Sequence, residues 1–205
     1  MLRKSRAVLS AVAVVLASTA FVDMAQAAQR FFIFDRLNSL SDARPRQEVR
    51  LKSGKYKLGS EYRRQIVSYD GGQRPGTIIV NTGEKFLYLV QPGGKAIRYG
   101  IGTARDGFEW SGTHKVTRKA EWPGWTPPAA MKRRQPNLPD HMPGGINNPL
   151  GARAIYIGST LYRIHGTNEP ETIGRSASSG CIRMRNIDVI DLFNRVPAGA
   201  KVVVV

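Results

Sequence analysis

From Gly76 onward the chain is built of short apolar, β-branched runs cut by turn residues, a pattern that restricts it to a mainly β fold. Thr77-Ile78-Ile79-Val80 and Phe86-Leu87-Tyr88-Leu89-Val90 read as a strand pair with a turn over Asn81 to Glu84. Pro92-Gly93-Gly94 ends the second strand. Ala96 to Ile101 predicts a third strand. Leu161 to His165 alternates, so Leu161, Arg163 and His165 are expected on one face. Val202 to Val205 is a continuous apolar run, expected as a strand buried on both faces. One helix is expected after Arg185. Asn186 would cap it, Asp188 suits the positive end of its dipole, and Pro197 stops it. Ile187, Ile190 and Phe193 would share its apolar face.

The N-terminus reads differently. Arg3, Lys4 and Arg6 precede an apolar run from Ala7 to Val22, and Ala25-Gln26-Ala27 is a small-x-small cleavage signal. This is the plan of a secretory signal peptide over residues 1–27. Export changes what the net charge of +16 means. In the cytosol such a charge suggests nucleic acid. In a periplasm or cell wall the anionic partners are wall polymer and lipid, so no nucleic-acid partner is expected. Residues 28–75 hold 11 Lys/Arg against 5 Asp/Glu and little periodicity, and are expected as a basic, partly ordered extension. The folded domain, the candidate for any catalysis, is expected over residues 76–205. A single cysteine, Cys181, excludes an intramolecular disulfide framework and a zinc ribbon. No metal site and no cofactor are expected.

The chemistry gathers in two places. His165-Gly166-Thr167 ends a strand, and Ser178-Ser179-Gly180-Cys181-Ile182-Arg183-Met184 lies just before the helix. A thiolate is a strong nucleophile, but a free cysteine at neutral pH is mostly thiol. A histidine in reach takes that proton and returns it to a leaving amine. The backbone N–H groups of Ser179, Gly180 and Cys181 are candidates for an oxyanion hole. His114 and His141 have no such setting. Between the strands, Lys119 to Asn147 holds Trp122, Trp125, six of the twelve prolines and Lys132-Arg133-Arg134. A connection this long suits a lid, with Trp122 and Trp125 as substrate contacts.

His165-Gly166-Thr167, then Ser179-Gly180-Cys181-Ile182-Arg183-Met184-Arg185-Asn186, resembles the signature of the YkuD-type L,D-transpeptidases. The resemblance runs from about Pro75 to Val205 and includes Asn148-Pro149-Leu150-Gly151 ahead of the histidine strand. One residue departs from the family pattern: the histidine usual before Gly-Cys is Ser179 here.

The resemblance implies a β-sandwich with one or two short helices and a long capping loop. It also implies a mechanism. Cys181 would attack the carbonyl between the third residue and terminal D-alanine of a peptidoglycan tetrapeptide. His165 would act as base and then acid, with the Gly166 carbonyl orienting its ring. Arg183 would pair with substrate carboxylates and Tyr162 would line the site. The acceptor would be an amine on a second stem or on an outer-membrane protein. Water in its place would make the enzyme an L,D-carboxypeptidase. A sortase places its histidine much further upstream, and papain-like peptidases place cysteine before histidine. A wall-binding module would leave the His/Cys signature unexplained.

Overall fold

The computed structural model describes residues 57–205. The expected leader over residues 1–27 and the expected extension up to Tyr56 lie outside the described residues. In chain order the strands are β1 (Gln65–Ser68), β2 (Ile78–Asn81), β3 (Phe86–Gln91), β4 (Lys95–Ala104), β5 (Gly112–Glu121), β6 (Arg153–Ile157), β7 (Arg163–His165), β8 (Ser176–Ser178), β9 (Ile182–Met184) and β10 (Lys201–Val204). Two short helices join them, α1 (Ala129–Arg134) and α2 (Asn186–Arg195).

The two longest strands each serve two sheets. β4 pairs with β3 along its first half and with β9 at Ile101 and Gly102. β5 pairs with β10 near its start and with β6 from Val116 onward, with a register shift at the changeover. The path β4-β3-β2-β10-β5-β6-β7-β9 therefore returns to β4. This is a sandwich whose sheets share two long strands, a corner device in which strands switch sheets at bulges. Between the layers lie Ile78, Leu87, Tyr99, Ile155, Ile164 and Ile182, all fully buried. Val189 and Leu192 of α2 join the same core, each buried aliphatic side chain contributing about 1.5–3 kcal/mol.

Several expectations need correction. β10 is buried on one face only: Val202 and Val204 are inside, Val203 is half-buried and Val205 is exposed. Its central place comes from having partners on both edges, β2 and β5. Leu161 is exposed in the turn before β7 and does not share the face of Arg163 and His165. In α2 the buried stripe is Val189 and Leu192, while Ile187 is 63% exposed. Asn186 does not cap α2, because its amide is engaged elsewhere. β5 was not expected, since only Val116 of its ten residues is buried and its sequence shows almost no apolar alternation.

The described part of the expected extension is joined to the sandwich. β1 extends the sheet at β4. Arg64 pairs with Asp191 of α2 at 2.7 Å, and the same carboxylate accepts the Tyr99 hydroxyl at 2.7 Å.

Candidate active site

Two short parallel strands set the geometry. β7 and β9 pair with Ile164 opposite Ile182 and His165 opposite Arg183. Ile164 and Ile182 are fully buried and face the core. Strand alternation turns Arg163, His165, Cys181 and Arg183 to the opposite face. One register step back, Arg163 lies across from Cys181. The four make a small checkerboard in which Cys181 and His165 are diagonal neighbours on adjacent strands.

His165 is held by its own next residue. Its Nδ1–H donates to the Gly166 carbonyl at 2.5 Å, which fixes the tautomer and leaves Nε2 as the free lone pair. Such a bond needs a sharply placed carbonyl, and three contacts place it. Gly166 N–H donates to the Arg153 carbonyl at 3.0 Å. The Asn186 side chain donates to the Thr167 carbonyl at 3.0 Å and accepts from Ala152 N–H at 2.9 Å. A Cβ on Gly166 would fall 2.1 Å from Asn186 Oδ1. Asn186 thus ties the start of α2, the histidine turn and the segment before β6 together. The sequence reading assigned it to a helix end.

The loop before Cys181 is pinned as firmly. Ser178 Oγ donates to the Cys181 carbonyl at 2.6 Å and accepts from Gly180 N–H at 3.2 Å. Of the three N–H groups offered for an oxyanion hole, that of Gly180 is therefore already donated. Gly180 sits at φ 106°, and a Cβ there would meet the Tyr162 ring at 2.4 Å. Trp110 stacks flat on Tyr162 with centroids 4.3 Å apart, and its Nε1–H donates to the Gly180 carbonyl at 2.7 Å. Sequence reasoning chose Trp122 and Trp125 and missed Trp110, which lies in a polar connector. Its partners are 52 and 70 positions further along the chain.

His165 and Cys181 are both uncharged at neutral pH. Burial pushes the His165 imidazole down to about 3, and the charges of Arg183 and Arg163 act the same way against the Gly166 bond. Burial pushes the Cys181 thiol up, against the opposing pull of Arg163 and Arg183. A pH prediction follows from His165. It is uncharged in the folded chain, while an unfolded histidine takes a proton near pH 6.5. Between about pH 6.5 and 3 the unfolded chain binds more protons, so stability falls as pH drops, by up to about 1.4 kcal/mol per pH unit. Above about pH 6.5 this residue contributes no slope. Urea unfolding at about pH 7.5 and about pH 5 reads the effect, and His165→Gln is expected to lose this part of the slope. Equal slopes in both proteins would show that His165 is not buried as a neutral group.

The long connection is anchored on both sides of this face. At its base Trp122 N–H donates to the Ala152 carbonyl at 2.9 Å, beside the histidine turn. Inside it, Trp125 and Met142 form a β-bridge and Lys132 pairs with Asp140. At its far side the Arg134 guanidinium lies 5.4 Å from the Phe108 ring, two residues from Trp110. Arg183 is paired with Glu169 at 2.7 Å. His141 bonds Thr126 within the connection, and His114 stands against Trp110. A cavity of about 220 Å³ lined by Thr103, Ala104, Asp106, Glu109, Trp110 and Ile182 lies on the Ile182 side of β9 and contains neither Cys181 nor His165. Among the described residues no cluster of His, Cys, Asp and Glu is arranged to hold a metal ion, and no helix is long and apolar enough to cross a membrane.

Residues 75–204 match the L,D-transpeptidase catalytic domain known as YkuD. The chain belongs to this family. It is 42% identical over 137 residues to the probable L,D-transpeptidase ErfK/SrfK of Escherichia coli K12, covering 62% of this chain and 43% of that protein. The chain thus spans less than half the length of such L,D-transpeptidase relatives. Among solved structures, L,D-transpeptidase 3 of Mycobacterium tuberculosis with a faropenem-derived adduct shares the fold. The TM-score is 0.50 at 15% identity, over 62% of this chain and 59% of that one. A Brucella melitensis protein described as a probable carnitine operon oxidoreductase is 44% identical, over 74% of this chain and 99% of that one, with a TM-score of 0.49. The mainly β sandwich with two short helices is the architecture this L,D-transpeptidase family implied.

Proposed function

We propose that this chain is a peptidoglycan L,D-transpeptidase acting through a Cys181 thioester. The observation that carries the reading is the His165 Nδ1–H bond to the Gly166 carbonyl, which leaves Nε2 free on the face shared with Cys181. Starting from a neutral thiol and imidazole, Nε2 takes the thiol proton as Sγ attacks the carbonyl of the third stem residue. Charge then exists only while the tetrahedral species does, and the N–H groups of Ser179 and Cys181 stabilise its oxyanion. The imidazolium returns the proton to the amine of the leaving D-alanine. The thioester passes to an acceptor amine, with Nε2 now removing the amine proton. Ser179, in place of the family's histidine, leaves proton transfer to His165.

Residues 1–27 act as an export signal in this reading, and residues 76–205 as the catalytic domain, placing the chemistry in the periplasm or at the wall. The connection from Trp122 to Asn147 is the lid: its anchors at Ala152 and Phe108 lie on the histidine side and the Trp110 side of the thiol. Trp122 and Trp125 contact the acceptor strand, and excluding water favours the amine. Stem peptides are the donors; a second stem, or an outer-membrane protein, is the acceptor.

The test is incubation of the full chain with disaccharide tetrapeptide and mass analysis of products. Free D-alanine and new 3→3 linked dimers are expected. Tripeptide without dimers would assign an L,D-carboxypeptidase, and neither product would sink the reading. In the same assay Trp122→Ala/Trp125→Ala is expected to raise hydrolysis relative to transfer. A parallel fall of both, with a lower Tm, would make the segment core packing.

A further inference from the structure

The checkerboard holds two arginines, and they are not equivalent. Arg183 is neutralised by Glu169 at 2.7 Å and lies 3.4 Å from the Thr172 hydroxyl. Arg163 has no acidic partner and makes no side-chain hydrogen bond among the described residues, and its Nε is buried without a partner. It is nevertheless held in place. Tyr156 stands opposite it on β6, with its ring 5.4 Å from the guanidinium, and Arg118 lies on that ring at 3.7 Å. One register step before the Ile164–Ile182 pair, Arg163 comes opposite Cys181, the residue just ahead of β9, and its backbone and charge both act on that thiol. A half-buried guanidinium fixed beside a nucleophile, with unused donors and no counter-ion, is matched to a carboxylate supplied by the substrate.

Resting on the acyl-transfer reading above, we propose that Arg163 binds the free C-terminal carboxylate of the donor stem, that of the residue expelled when Cys181 is acylated. In the tetrapeptide this carboxylate is separated from the scissile nitrogen by one carbon. A group that grips it must therefore stand next to the attacking sulfur, as Arg163 does and the Glu169-paired Arg183 does not need to. Recognition of that carboxylate selects stems ending in a single residue after the scissile bond. A stem extended by one more residue carries its carboxylate too far away.

The test uses the tetrapeptide L-Ala-γ-D-Glu-meso-diaminopimelate-D-Ala as the free acid and as the C-terminal carboxamide. With the unaltered chain, kcat/KM for release of the last residue is expected to be about ten- to a hundredfold higher for the acid. Arg163→Gln is expected to lose that much on the acid and to treat the two peptides alike. Arg163→Lys, which keeps charge but not the fork, should recover part of the preference. Replacing diaminopimelate by lysine removes the third residue's side-chain carboxylate and is expected to leave the Arg163→Gln loss unchanged. The same acid-to-amide ratio read as Kd on the Cys181→Ala chain needs no turnover. If no peptide is turned over, the functional reading falls while the Kd ratio still decides the role of Arg163. An acid preference that survives Arg163→Gln, or one that vanishes with lysine at the third position, overturns the proposal.

Discussion

Cys181→Ala is expected to release no D-alanine from a tetrapeptide stem and to form no adduct with a carbapenem, a loss of about 10⁴-fold or more. The size follows from the proposed chemistry, because without the sulfur there is no acyl-enzyme and His165 has no proton to take. The fold should survive. The side chain is half-buried, its face lies away from the core occupied by Ile182, and removing one sulfur costs about 1 kcal/mol. Because Cys181 is the chain's one cysteine, intact-protein mass spectrometry is unambiguous: any thiol adduct is on this residue. An unchanged Tm with complete loss of adduct and product is the expected pair of results. D-alanine release by the variant at even a hundredth of the normal rate would assign the nucleophile elsewhere.

Gly166→Ala is the second large effect, and it comes from one atom. The added methyl would sit 2.1 Å from Asn186 Oδ1 and 3.0 Å from Ala152 N. The backbone at Gly166 is not in the left-handed region, so what opposes alanine is the contact of its methyl, chiefly with Asn186, and not backbone strain. Relief requires moving either Asn186 or the turn, and the turn carries the carbonyl that orients His165. A loss of about 1–3 kcal/mol in stability and about a hundredfold in kcat is expected. The double variant Gly166→Ala/Asn186→Ala removes the obstructing oxygen. It should regain stability relative to Gly166→Ala without regaining kcat, since the Thr167 carbonyl then has no donor to hold it. If the double variant is less stable than either single one, the two residues do not share the contact argued for them. Chemical unfolding and steady-state kinetics on the four proteins form a complete cycle.

What could be read from the chain beforehand followed locality. His165 and Cys181 stand at the ends of short strands beside glycines, and local pattern is enough to see that. The strands β2, β3 and β4 are apolar and regular, so their hairpins were visible, although β4 runs three residues past its expected end to reach its second partner. β5 was hidden because most of it faces solvent and its register breaks where it changes sheets. Asn186 was misread because a polar residue at a helix start has an ordinary local explanation, whereas its actual partners are Ala152 and Thr167. Trp110 and Arg163 were overlooked for the same reason in reverse. Neither belongs to a motif, and each gains its meaning from a neighbour that only tertiary structure supplies.

The shared strands also govern how the protein reaches its native state. Thr82 bonds the carbonyl of Val205, 123 positions away, and β10 enters the sheet between β2 and β5. Closing loops of that length before their contacts reward it places the chain among slow folders, in the range of milliseconds to seconds. β9, which follows the thiol, takes its two partners from opposite ends of this circuit, β4 and β7. A half-assembled sheet therefore has no geometry for the pair. Refolding monitored by tryptophan fluorescence and by recovery of thiol reactivity toward a β-lactam should give one shared rate constant, because acquiring the thiol's setting and completing the polypeptide's circuit are the same kinetic event.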